Sequence, residues 1–270
     1  MVMGVKKMLA SLTVAWLFLT RIPLPGWWSG WAGAQQVAFY QTVPFFPLVG
    51  LALGGLLWLA DLGVSQVFSP LLSSLILVVL LVVMTGGLHL DGWMDTADGL
   101  LSGRDRQRML EIMKDSRVGG LGALALVCLL LLKWGGLAEL TEGRGPLLLI
   151  MPVAGRVAMM GCILFWPDAR QGGGLGSLFH QANVKSERER RRWRFSVWCS
   201  MLVISLLVTA CCGGRGLLVM WLAVLIGWAW ARRVARRLGG LTGDVFGAVN
   251  ELVEVVVVYT YLAARLLLSI

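Results

Sequence analysis

Charge is scarce in this chain. Only 14% of its 270 residues are Asp, Glu, Lys or Arg, against 57% hydrophobic, and the mean hydropathy is +0.77. So small a polar complement cannot cover a water-soluble globule of this length, so lipid must serve as part of the solvent. Sulfur and imidazole ligands are few as well, with five cysteines and two histidines. Cys128, Cys162, Cys199, Cys211 and Cys212 lie in or beside apolar segments and lack the paired spacing that structural zinc requires, so they read as packing residues. No internal repeat, low-complexity tract or soluble domain is visible, and the longest polar segments, about 91–118 and 167–194, are too short to fold alone. They must pack on the rest of the chain. The basic run "SERERRRWRF" is too short for nucleic-acid binding and reads as a helix end at the membrane surface, with Trp193 and Phe195 at the interface.

What is abundant is apolar length. Stretches able, or nearly able, to cross a hydrocarbon core of roughly 30 Å run over about 43–60, 70–90, 119–134, 146–166, 195–212, 216–231 and 252–270. The expected fold is therefore all-α: a polytopic integral membrane helix bundle of about seven transmembrane helices, forming one integral membrane catalytic domain over 1–270. A short N-terminal membrane-associated helix, Met8 to Leu19, adds an eighth, half-inserted element. Lys6 and Lys7 precede it as in a signal peptide, but "TRIPLP" follows where small residues would mark cleavage, so a retained segment is expected. With residues 1–42, 91–118, 167–194 and 232–251 on one side, that side holds nineteen of the twenty-four Lys and Arg residues. The positive-inside rule makes it cytoplasmic.

The acidic residues sort to the same side, and their spacing carries the chemistry. Asp91, Asp95 and Asp98 follow one another at i, i+4 and i+7 in "HLDGWMDTADG", within about 60° of one helical face. Three carboxylates so close repel unless a cation sits among them, and hard divalent ions take such oxygen ligands. A solvated helix start would also explain acids near a helix N-terminus, but not the bracketing by Gly86, Gly87, Gly92 and Gly99. Downstream, Lys114, Asp115, Ser116 and Arg117 place two cations, a carboxylate and a hydroxyl before a glycine-rich helix entry, a mix suited to phosphate oxygens. Asp244 and Glu251, seven apart, form a second acidic element, and Glu254 lies deeper in the last span, where a carboxylate needs a partner. Arg156, inside a span, needs a carboxylate or phosphate for the same reason. Arg170 begins a glycine-rich loop that ends at His180, and His89 falls roughly opposite the acid face.

The order of "TRIPLP", "FFPLVGLALGG", "GGLHLDGWMDTADGLLSG", "RMLEIMKDSRVGGLGA", the Gly155–Arg156 pair and "LTGDVFGAVNE" resembles the cobalamin synthase family, the adenosylcobinamide-GDP ribazoletransferases. The likeness covers most of the chain; "LPGWWSGWAG" and "SERERRRWRF" contribute nothing to it. Asp95 to Gly99 also looks loosely like the Asp-x-x-Asp-Gly core of CDP-alcohol phosphotransferases, although the later acids depart from that family's spacing.

The resemblance implies a magnesium-dependent enzyme of the bacterial inner membrane, with adenosylcobinamide-GDP and α-ribazole or its 5′-phosphate as substrates. The ribazole hydroxyl attacks the phosphate attached to cobinamide, giving adenosylcobalamin or its 5′-phosphate and releasing GMP. In that reading Asp91, Asp95 and Asp98 hold Mg2+ on the pyrophosphate together with Asp244 and Glu251. Arg21, Lys114, Arg117 and Arg156 clamp phosphates, and Asp98 or Asp115 is the general base. Association with membrane lipid, with other cobalamin-assembly enzymes and into a homo-oligomer are further expectations. The rival from another class is an ion-coupled secondary transporter using the acidic motif as its coupling site, although such sites tend to lie at the midplane between structural repeats.

Overall fold

The computed structural model describes residues 4–28, 37–141, 143–170, 175–180 and 186–268. Gln171 to Gly174 of the glycine-rich loop, the side chain of His180 and Lys185 lie outside the described residues. The α-helices of the described residues follow in order: α1 (Val5–Leu19), α2 (Phe46–Val67), α3 (Pro70–Thr85), α4 (Leu88–Leu101), α5 (Arg106–Ile112), α6 (Gly120–Ala138), α7 (Gly145–Phe165), α8 (Leu175–His180), α9 (Glu187–Leu238) and α10 (Gly243–Leu268), with a 3-10 turn at Phe39–Phe45 leading into α2. Among the described residues there is no strand, only an isolated parallel bridge between Asp168 and Leu241. The all-α membrane class expected from composition holds.

Among the described residues five helices are long and apolar enough to cross a membrane: Phe39–Val67, α6, α7, α9 and α10, or six when the bent pair of α3 and α4 counts as one span. One expected span turns out differently. The stretch 70–90 is not one helix, because α3 ends at Gly86 (φ 64°) and Gly87 (φ 70°) and α4 leaves at 92° to it. Two successive residues in the left-handed region stop the α-helical ladder, and only glycine enters that region without strain. Bent away from α3 and rich in aspartate, α4 runs across the end of the bundle rather than through it.

Helix α9 holds two of the expected stretches. Its 52 residues would reach about 78 Å if straight. Instead Gly213 (φ 70°, ψ −179°) breaks it, and the Trp221 indole donates to Ser205 Oγ at 3.2 Å, although sixteen residues of straight helix span about 24 Å. The helix thus folds back on itself, with 195–212 in one arm and 216–231 in the other. Trp193, expected at the lipid interface, is buried and donates to the Tyr40 carbonyl at 2.8 Å, whereas Phe195 is exposed.

Helix α7 is the hub. Nearly every residue from Gly145 to Ile163 is buried, Arg156 included, and α2, α9 and α10 pack around it. A helix apolar on all sides is stable only when it is enclosed this way. Helix α1, with Ala10, Ala15 and Leu19 buried, is tied down where the Trp28 indole donates to Thr13 Oγ1 at 2.9 Å and where Arg21 N donates to the Met84 carbonyl at 2.7 Å. At the far end of the bundle, Arg144 is buried against Asp61 at 2.5 Å and donates to Ser73 and Ser74.

Candidate active site

The acid-rich end of the bundle is built where α4 crosses α10. Thr242 caps α10, its hydroxyl oxygen accepting the Val245 N–H at 3.3 Å, which sets Asp244 in the first helical turn. Gly92 of α4 lies directly on this turn: a Cβ there would sit 2.6 Å from the Asp244 carbonyl oxygen. That close crossing brings the aspartates of α4 beside the one on α10. Burial first, and then the neighbouring carboxylates of Asp244, Asp91 and Asp98, push the carboxyl of Asp95 up to about 7, opposed by Arg170.

Arg170 is the cation the protein supplies. It donates to Asp244 Oδ2 at 2.7 Å and to the Met113 carbonyl at 3.1 Å. Its loop is held by the bridge to residue 241, in which Ala169 N donates to Leu241 O at 3.0 Å and Leu241 N to Pro167 O at 2.9 Å. From the other side Arg106 donates to Leu238 O at 2.6 Å and Ala169 O at 3.1 Å. Asp168 accepts the Arg170 N–H through Oδ1, and its buried Oδ2 has no hydrogen-bond partner among the described residues. A cleft of about 70 Å³ opens here, with His89, Asp91 and Asp244 on its polar side and Phe18, Met159, Phe179 and Phe246 on its apolar side.

The remaining sequence candidates divide into three groups. Asp98 belongs to the cluster, but its two oxygens also take the Gly119 and Gly122 N–H groups at 2.9 and 2.7 Å, fastening the start of α6 to α4. Arg21 lies over Gly86 at the root of α4. Asp115 and Arg117 are turned toward each other in a two-pronged ion pair on the exposed loop, which holds the Asp115 carboxyl down at about 2. An acid that weak in base strength is a poor proton acceptor, so of the two base candidates only Asp98 stands in the cluster. Lys114 is exposed beside them.

Glu251 and Arg156 lie in the bundle interior instead. Lys133 Nζ donates to Glu251 at 2.6 Å and to Glu254 at 2.8 Å, Arg156 pairs with Glu254, and Asn250 donates to Glu254 at 3.0 Å. All five are buried. Here two cations meet two carboxylates, so the group is neutral without outside help. Arg156 thus finds a carboxylate rather than a phosphate. The sequence reading missed Lys133, although a lone lysine in the run "LVCLLLLKWGG" needs a carboxylate by the same argument that flagged Arg156. It also left Asp168 and Thr242 out of the site.

As to what the cluster can hold, its donors are carboxylate oxygens throughout, the set that hard divalent cations prefer. Among the described residues no three carboxylate, imidazole or thiol groups converge to metal-binding distance. The fit therefore rests on donor chemistry and uncompensated charge around Asp95.

Comparison with known proteins gives one family. The family model described as "Cobalamin-5-phosphate synthase" matches residues 11–262. Relatives each named "Adenosylcobinamide-GDP ribazoletransferase" include one from Brevibacillus brevis, 39% identical over 89% of this chain and 92% of the relative, and one from Desulfitobacterium hafniense, 41% identical over 90% and 93%. A third, from Desulforamulus reducens, is 37% identical over 96% and 98%. No solved structure gives a significant match.

Proposed function

The chain belongs to the cobalamin-5-phosphate synthase family, membrane transferases of cobalamin biosynthesis, and from that premise we propose how the acidic cleft does the transfer. The substrates are adenosylcobinamide-GDP and α-ribazole or its 5′-phosphate, and the leaving group is GMP. Asp91, Asp95 and Asp244 hold magnesium, with Asp98 at the edge of the set. Bound there, magnesium supplies the positive charge that the pyrophosphate oxygens need as charge builds on them in phosphoryl transfer. The observation that carries the reading is the close crossing of α4 on α10 at Gly92 and Asp244, which brings the aspartates of α4 beside Asp244 and its partner Arg170.

The chain's own groups supply the rest. Arg21 and Lys114, both exposed on the same end, are placed to meet phosphate oxygens from outside the cluster. Asp98, fixed by two backbone N–H groups, accepts the proton of the attacking hydroxyl on the lone pairs left to it. Phe18, Phe179 and Phe246 keep one wall of the cleft dry. The cluster faces the cytoplasm of a bacterial inner membrane, the side rich in Lys and Arg.

Purified protein in liposomes, given adenosylcobinamide-GDP, α-ribazole and magnesium, is expected to release GMP. A folded protein that releases none overturns the proposal. The transporter reading, with the acidic motif as coupling site, instead requires solute flux across the same liposomes without GMP.

A further inference from the structure

His89 joins the two charged regions. It is the second residue of α4, 3% exposed, and lines the cleft alongside Asp91. Its Cα is held at the α4–α10 crossing, where a Cβ on Gly247 would stand 3.2 Å from it. Its Nδ1 lies 3.4 Å from Arg156 Nη2, the guanidinium that pairs with Glu254. A guanidinium has donors only, so Nδ1 must be the acceptor and the ring proton must sit on Nε2. Nε2 is buried and has no hydrogen-bond partner among the described residues. An unpaired buried N–H is costly, and a native structure that keeps one calls for a reason, such as a group bound there.

We infer that His89 presents its Nε2–H to a pyrophosphate oxygen of the substrate at the floor of the cleft, with Arg156 and Glu254 as positioning residues that hold the ring in that tautomer. The inference rests on the reading of the cleft as a pyrophosphate site. In it the buried ion group serves the chemistry without touching substrate: Glu254 orients Arg156, Arg156 occupies Nδ1, and the donor is left facing the ligand. A neutral donor suits this place, because it adds a hydrogen bond to the phosphate without competing with a cation for the aspartates.

Two substitutions separate this role from a structural one. The amide of His89→Gln reaches the Nε2 position and can donate there; that of His89→Asn reaches only the Nδ1 position and keeps the Arg156 contact. In the GMP-release assay His89→Gln is expected to keep most of the wild-type kcat/KM, whereas His89→Asn falls by about 10- to 150-fold, the range for one hydrogen bond to a charged group. Asn active and Gln inactive would mean that the contact with Arg156 is what matters, and the inference fails. A second measurement reads the ring of the wild type itself. The chain has two histidines, so 15N-histidine labelling of the wild type gives two rings, assigned with His89→Gln. His89 is expected as the Nε2–H tautomer, with its Nε2 resonance shifting when inorganic pyrophosphate and magnesium are added and Nδ1 staying in place. An Nδ1–H ring, or no shift in protein that turns over, overturns it. A wild type that shows the shift but releases no GMP keeps the donor and removes the transferase reading instead.

Discussion

Helix α10 contributes to two groups of carboxylates, and the protein treats them differently. Glu251 and Glu254, in its buried middle, are met by Lys133 and Arg156, two charges against two. Asp244, at its first turn, joins Asp91, Asp95 and Asp98 with Arg170 as the paired cation. Burying unpaired charge costs several kcal/mol, so the interior group is complete in itself. The end group is tolerable because water reaches it, and its excess negative charge is an affinity for something positive. Neutrality sets the interior cluster apart, and imbalance is what the proposed binding cluster retains.

The comparison breaks most visibly in the interior. Glu254→Gln leaves Lys133 and Arg156 facing Glu251 as their one remaining carboxylate and is expected to destabilise the protein by about 3–5 kcal/mol, read as loss of the thermal unfolding transition or of monodisperse protein in detergent. Adding Lys133→Met to Glu254→Gln, so that the pair of changes removes one charge of each sign and leaves Arg156 with Glu251, should recover part of that loss. A wild-type melting temperature in Glu254→Gln would erase the distinction between the clusters. At the cleft the same carboxylate-to-amide change should do the reverse. Asp95→Asn relieves repulsion, so stability is expected to hold or rise while GMP release drops by about 10²–10³-fold; near-normal turnover would remove Asp95 from the metal set.

Smaller effects sharpen the contrast. Chelating divalent ions should stop GMP release reversibly, and magnesium at a hundred times its Kd should stabilise the wild type by about 2.7 kcal/mol, with that gain largely lost in Asp95→Asn. Equal stabilisation of both proteins would place the ion elsewhere. The smallest effect belongs to Asp115→Asn. Its pair with Arg117 is solvent-exposed, and such pairs contribute little. Because the carboxyl is held at about 2, it stays ionised through any ordinary assay range, so the pH profile of GMP release should not move.

Much of this was legible beforehand, for identifiable reasons. Apolar length marks the segments that enter the membrane whatever their packing, and the i, i+4, i+7 spacing of Asp91, Asp95 and Asp98 puts them on one face of any helix that includes them, as α4 does. The need of buried Arg156 and Glu254 for partners follows from the cost of charge in lipid. Other features were out of reach because they depend on where helices cross. Nothing local to Asp244 says that Gly92 will rest on it, and nothing in "KDSR" says that Asp115 and Arg117 will satisfy each other. The left-handed pair at Gly86 and Gly87, and the break at Gly213, are choices that glycine permits but does not impose.

The sequence by itself determined the solvent, the helical class, the residues that carry charge and, through its ordered motifs, the family. Those follow from composition and from periods of a few residues, which act over the length of one helix. Only the tertiary structure decided which charges neutralise which. Coulomb attraction and desolvation act between atoms a few ångströms apart, and the partners here are separated by as many as 121 residues along the chain, as in Lys133 and Glu254.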